Sequence, residues 1–237
     1  ARIGIIRAHL EEDAGKLLHE WPGGAPIDGS IVDLNRAGTP LLEIVTAPDF
    51  TSADQAEAFA RQLRHLCRFL GVTEGIMQKG HMRFEPNINT IIELDDGRVV
   101  TTPIVEIKNL NSFKALRGAI EHELREQPQR WAETGLEMAS GTKSTRGWDD
   151  VKEVTVLQRE KEEAHDYRYF PDPDLLPVTI DEAWIERVRA ELPELPVPRA
   201  ARYGREFGLN EKDASALVEE RGTCELLEAA VEQAGGG

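Results

Sequence analysis

Short apolar runs with alternation predict strands over residues 2–7 and 31–46, with Gly23, Gly24, Pro26 and Gly29 marking a loop between them. The period then changes. Phe59, Leu63, Leu66, Cys67 and Leu70 recur three and four apart, which predicts a helix over 52–70 that opens on the capping-box spacing Ser52 to Gln55 and stops at Gly71. Two β-rich runs follow, 82–94 and 98–108, separated by the hairpin signal Asp95-Asp96-Gly97. Alternation places Arg83, Glu85, Asn87 and Asn89 on one face and Phe84 and Ile88 on the other, with Pro86 arguing for an edge or a bulge. Glu106 and Lys108 share a face in the same way.

A second amphipathic helix is marked by Phe113, Leu116, Ile120 and Leu124, opened by Asn111 or Ser112 and disturbed near Pro128. Residues 151–159 read as a further strand, and 200–207 and 211–220 as helices. Prolines 193, 196 and 198 break the pattern between them, so a domain boundary is expected there, dividing residues 1–191 from 192–237. The expected class is α+β: a mixed or antiparallel sheet with packed helices, followed by an all-helical segment.

Composition narrows what such a chain does. It has 43 acidic against 28 basic residues, a net charge of −15, so a diffuse positive field for nucleic acid is excluded and any RNA contact must be local or supplied elsewhere. No apolar run approaches the roughly 20 residues that span a bilayer, so a membrane role is not expected. Cys67 and Cys224 lie far apart outside any C-x-x-C pair, which predicts reduced thiols and a cytoplasmic setting, with Cys67 as core.

The candidate chemistry is acidic. If the first strand continues, Arg7, His9 and Glu11 share a face, and Glu11-Glu12-Asp13 concentrates three carboxylates. These suit a hard cation such as Mg²⁺, or simply a solvated turn. Glu43 lies within Leu41-Leu42-Glu43-Ile44-Val45, where a carboxylate is costly to bury alone. It calls for a metal ion or an arginine such as Arg36. Arg83, Glu85, Asn87 and Asn89 form either a solvated sheet face or a binding surface, and Glu106 with Lys108 either a cross-strand ion pair or a carboxylate and ammonium set around phosphates. The histidines have no metal-protease spacing, and no P-loop or dinucleotide fingerprint is present.

Four segments occur in one order: Glu11-Glu12-Asp13-Ala14-Gly15-Lys16, the run from Val32 to Val45, Glu106-Ile107-Lys108-Asn109-Leu110-Asn111-Ser112-Phe113, and Asp166-Tyr167-Arg168-Tyr169-Phe170-Pro171-Asp172-Pro173. Together they resemble the B subunit of the tRNA-dependent amidotransferases. The resemblance implies a cradle-shaped catalytic domain followed by a helical domain. It also implies a reaction in which ATP phosphorylates the side-chain carboxylate of misacylated Glu-tRNA(Gln) or Asp-tRNA(Asn) and ammonia displaces phosphate. ATP and Mg²⁺ are the implied cofactors. The implied partners are an amidase-type A subunit that supplies ammonia, a small C subunit, and the tRNA.

Residue by residue, the resemblance assigns Glu12 and Glu43 to the magnesium site, with Glu11 as the neighbouring acid, and predicts that Glu12 and Glu43 open onto one cavity. Lys108 is added as a phosphate contact, with Arg36, Arg83, Glu85, Asn87 and Glu106 as candidate substrate or phosphate contacts. The family's Arg-Cys-Asp-Ala-Asn stretch reads Arg83-Phe84-Glu85-Pro86-Asn87 here, and its amino-terminal Gly-Leu-Glu-Val-His segment and tail domain are not found. The expectation is a piece of a longer protein, inactive and weakly tRNA-binding by itself. The rival class is a noncatalytic tRNA- or protein-binding module that keeps the cradle.

Overall fold

The computed structural model describes residues 2–21, 23–139, 141–160 and 176–235. The Asp166–Pro173 motif lies outside them. The fold is α+β, and the chain forms two compact units, Ala1–Gln55 and Ala56–Gly237.

In the first unit, β1 (Ile5–Glu12) pairs antiparallel with β4 (Pro40–Thr46), and β2 (Lys16–Glu20) with β3 (Pro26–Asp33). The single run expected over 31–46 is interrupted at residues 34–39. There the backbone and side-chain amides of Asn35 both donate to Asp33 Oδ1, at 2.9 and 2.6 Å, and Gly38 turns the chain at φ 76°. Asp13 N donates to Thr39 O at 2.8 Å and Gly38 N to Asp13 O at 2.9 Å, which locks this turn beside the end of β1. β1 also runs further than residue 7 and carries Arg7, His9 and Glu11 in extended backbone, as the alternation requires.

α1 (Ala53–Phe69) forms where the apolar stripe predicts it. Ser52 Oγ accepts from Gln55 N at 3.3 Å, while the Gln55 side chain turns back to Thr51 N at 3.0 Å. In the second unit the strands are shorter than the β-rich runs suggest. β6 (Ile91–Glu93) and β7 (Val99–Thr101) make the hairpin around Asp95-Asp96-Gly97, while β5 (Asn87–Ile88) and β8 (Val105–Lys108) join a separate sheet. That sheet is completed by β9 (Ser144–Asp149) and β10 (Val154–Glu160) in the order β10-β9-β8-β5, with β8 and β9 parallel and the other pairs antiparallel. A parallel neighbour needs a crossover, and α2 (Phe113–Thr134) lies within the connection from β8 to β9.

α2 passes through Pro128 without stopping, because its packed face outweighs one lost backbone bond. That face is Ala115, Leu116, Ala119, Ile120, Glu123 and Gln127, whereas Leu124 is exposed. It packs against the sheet side that carries Ile88, Val105, Ile107 and Trp148. Gly118 allows the approach, since a Cβ there would lie 3.1 Å from Trp148 Cζ2. Glu123, wholly buried, is held by Arg130, by Thr155 Oγ1, by Gln127 Nε2 at 3.2 Å and by Arg146 Nε at 3.4 Å.

After α3 (Glu182–Glu191), the prolines at 196 and 198, expected to break the pattern ahead of a helix at 200–207, lie in the first turn of that helix. Pro196 is the first residue of α4 (Pro196–Glu206), where no backbone N–H is needed. α5 (Glu211–Leu217) and α6 (Arg221–Gln233) follow. Phe69 of α1 packs with Tyr203, Ala214, Val218 and Cys224 in one buried cluster. Both cysteines are free: Cys224 is buried, and Cys67 is half-buried, with burial raising its thiol pKa. Among the described residues no helix is long and apolar enough to cross a membrane.

Candidate active site

Two polar surfaces carry the candidate residues, one in each unit. In the first unit the β1–β4 register sets His9 opposite Glu43, Glu11 opposite Leu41 and Glu12 opposite Pro40. Side chains alternate across a strand, so Arg7, His9, Glu11 and Glu43 share one face, while Glu12 belongs to the other with Leu10 and Leu42. The expectation that Glu12 and Glu43 open onto one cavity is not met by this register; Glu11 takes the place beside Glu43.

Glu43 is not a buried carboxylate among apolar side chains, because Leu41 and Leu42 are themselves exposed and Ile44 belongs to the other face. Its side chain is 44% exposed and accepts a hydrogen bond from Arg7 Nη2 at 2.9 Å. Arg36, the arginine expected beside it, pairs instead with Asp13 at 2.6 Å. Among the described residues no three His, Cys, Asp or Glu side chains converge into a closed metal cage. The donor set still suits Mg²⁺, a hard ion usually held by one or two carboxylates while keeping waters and substrate phosphates. Glu11 and Glu43 supply two carboxylates on an accessible face.

In the second unit the two polar clusters read separately from the sequence meet. Asn87 stands opposite Glu106 across the β5–β8 ladder, and two residues further on Lys108 Nζ reaches Glu85 Oε2 at 3.1 Å. The same ammonium lies 3.1 Å from Glu106 Oε1. Burial alone would pull the Lys108 pKa down, yet the hydrogen bonds and charges of Glu85 and Glu106 outweigh it and leave it above the usual lysine value. Lys108 is therefore a fixed cation and not a proton acceptor. Arg83 is exposed and precedes the first regular strand of this sheet.

Alternation along β8 sends Ile107 to the α2 side and Glu106 and Lys108 to the other. The parallel β8–β9 register then puts Thr145 beside Glu106 and Gly147 beside Lys108 on that same polar face. Lys143, just before β9, reaches the second oxygen of Glu106 at 3.4 Å. Gly147 leaves room for Gln158, whose amide nitrogen would lie 2.4 Å from a Cβ at that position. Lys143, Thr145 and Gly147 do not stand out in the sequence; the alternation Lys143-x-Thr145-x-Gly147 is the available signal, but it carries meaning only once β9 is known to lie beside β8.

At the turn after β8, Asn109 adopts φ 66° and its side-chain amide donates to Trp148 O at 3.2 Å. This left-handed residue redirects the chain from Lys108 toward Ser112, which caps α2 by accepting from Ala115 N at 3.0 Å.

Comparison with known proteins gives the family. A family model described as the GatB/GatE catalytic domain matches residues 1–186. Proteins named as the B subunit of aspartyl/glutamyl-tRNA(Asn/Gln) amidotransferase are similar over nearly the whole chain. That of Rhodopirellula baltica is 48% identical over 92% of it, that of Herpetosiphon aurantiacus 45% over 99%, and that of Thermotoga maritima 44% over 97%. The chain spans 43% to 46% of the length of these relatives.

Proposed function

The chain belongs to the GatB/GatE catalytic-domain family, and from that premise we propose that the protein containing it is an ATP-dependent amidotransferase component acting on misacylated tRNA. In this reading the γ-phosphate of ATP passes to the side-chain carboxylate of Glu-tRNA(Gln) or Asp-tRNA(Asn). Ammonia then attacks the acyl carbon and phosphate leaves, giving the amide. A carboxylate is a poor electrophile and an acyl phosphate has a good leaving group, which is why ATP is needed. A glutaminase-type A subunit would supply the ammonia, with a small C subunit completing the assembly in the cytoplasm.

Each polar surface has a role in this reading. Glu11 and Glu43 would hold Mg²⁺, which when bound supplies charge neutralisation to the phosphates; Glu12, on the opposite face, gives up that role. Lys108 offers a permanent positive charge to phosphate oxygens, kept in place by Glu85 and Glu106. Asn87 lies beside Glu106, where its amide can orient a substrate through both donor and acceptor. Arg83 and Arg36 are further candidates for anion contact, the latter in competition with Asp13.

The observation that carries the reading is the family match over residues 1–186, which includes both surfaces. A noncatalytic tRNA- or protein-binding module is the second reading, favoured by the carboxylates that already neutralise Arg7 and Lys108. The full-length protein, assembled with its glutaminase partner and given ATP, Mg²⁺, glutamine and each misacylated tRNA, separates the two. Amide formation matched by phosphate release supports the ligase. Binding of tRNA with neither product would leave the module.

A further inference from the structure

We propose that Thr145 belongs to the substrate site and donates its hydroxyl hydrogen to an anionic oxygen, phosphoryl or carboxylate, of the bound substrate, with Lys143 as the adjoining cation. The inference rests on the amidotransferase reading above and adds two residues to it.

Thr145 is 1% exposed, and its Oγ1 makes no hydrogen bond among the described residues. A buried hydroxyl left unpaired is unfavourable. The other deeply buried threonines of this unit are satisfied: Thr102 Oγ1 donates to Gln127 Oε1 at 2.6 Å and Thr155 Oγ1 to Glu123. Among the described residues two further buried polar atoms lack partners, Trp131 Nε1 and Arg199 Nη1, but these lie on helices α2 and α4. Thr145 instead stands on the polar sheet face, at the same level as Glu106 and Asn87 on the neighbouring strands.

The surroundings of that hydroxyl suit an anion. The two oxygens of Glu106 each hold an ammonium group, Lys108 at 3.1 Å and Lys143 at 3.4 Å. An ammonium has three N–H donors. Lys108 directs two of them to Glu85 and Glu106, and Lys143 directs one to Glu106. Among the described residues donors therefore remain for a ligand oxygen, and Glu106, beside Thr145 in the ladder, acts as a positioning residue for both cations.

The experiment compares Thr145→Val, Thr145→Ser and Lys143→Met in the full-length protein assembled with its glutaminase partner. Valine keeps the shape and removes the hydroxyl. A merely structural Thr145 would then leave kinetics unchanged and the Tm equal or higher. The proposal expects an unchanged or raised Tm together with a KM increase of roughly tenfold, the size of one lost charge-assisted hydrogen bond. Serine should restore the wild-type KM, Lys143→Met should raise the same KM, and glutamine hydrolysis should not move. An increase in KM for ATP identifies a phosphoryl oxygen; an increase for the aminoacyl-tRNA identifies the carboxylate.

Equilibrium Kd values for ATP and for the aminoacyl-tRNA, measured on the same variants, keep the two readings apart. If the wild type binds but does not amidate, the ligase reading falls, and the Kd ratio of wild type to Thr145→Val still decides this one. Equal Kd and KM values in the valine variant overturn it, leaving the hydroxyl served by water. Should Thr145→Val lower the Tm, Lys143→Met decides in its place, with an unchanged KM overturning the assignment.

Discussion

The carboxylate of Glu43 receives the Arg7 guanidinium at 2.9 Å from across the β1–β4 ladder, although the residue directly opposite Glu43 is His9. The diagonal reach leaves His9 and Glu11 on the same face as the ion pair. A cation that binds there competes with Arg7 for Glu43, and its affinity depends on how readily that exposed pair opens.

Glu43→Gln separates the chemical role from the structural one. Arg7 and Glu43 are 53% and 44% exposed, so their pairing contributes at most about 1 kcal/mol and the variant should fold with a nearly unchanged Tm. In the full-length assembly, ATP-dependent amidation should fall by roughly a hundredfold, as when one electrostatic contact to the transition state is removed. Glutamine hydrolysis by the partner should persist. Amidation at the wild-type rate would rule out an essential charge at this position.

Glu123 is a test of stability with no expected part in the chemistry. Its carboxylate is fully buried between Arg130, Arg146 and Thr155, on the α2 side of the sheet. Glu123→Ala leaves two guanidinium groups without their shared partner and should cost about 3–5 kcal/mol. Urea unfolding followed by tryptophan fluorescence measures it. A cost no larger than that of a surface substitution would mean that the two arginines find other acceptors.

The helical cluster around Arg202 should fail in acid. Hydrogen bonding from Arg202, helped by Arg199 and opposed by burial, lowers the Glu194 pKa. For Glu228, burial pushes upward, but hydrogen bonds from Arg202 and Tyr203 and the nearby arginine charges lower it overall. Carboxylates with depressed folded pKa values stabilise the fold above their unfolded value, about 4.3, and lose that contribution as pH falls through the folded value. The wild type should therefore exceed Glu228→Gln in urea midpoint by a constant margin near neutral pH, and the margin should shrink below about pH 4. A margin independent of pH from 7 to 3 would contradict the ionic origin.

The alternation Arg7, His9, Glu11 and the α1 stripe were legible because each depends on the local period of the chain. So was the hairpin at Asp95-Asp96-Gly97, where the turn chemistry is contained in three residues. The interruption at 34–39 was present as Asn35-Arg36-Ala37-Gly38 but was outweighed by the apolar runs on either side. Prolines misled twice: Pro128 sits inside a helix whose buried face holds it, and Pro196 starts a helix where the local pattern suggests a break.

By itself the sequence determined the α+β class, the first amphipathic helix, the family to which the chain is similar and the acidic residues worth following, because these reside in composition, period and motif. Only the tertiary structure decided which of them meet. Whether Glu11 or Glu12 shares a face with Glu43 depends on the β1–β4 register, and a shift of one residue would exchange them. Lys143 and Thr145 join Glu106 because the crossover through α2 returns β9 parallel to β8. Strand pairing sets such neighbours through backbone hydrogen bonds between distant residues, and no local pattern in either strand records its partner.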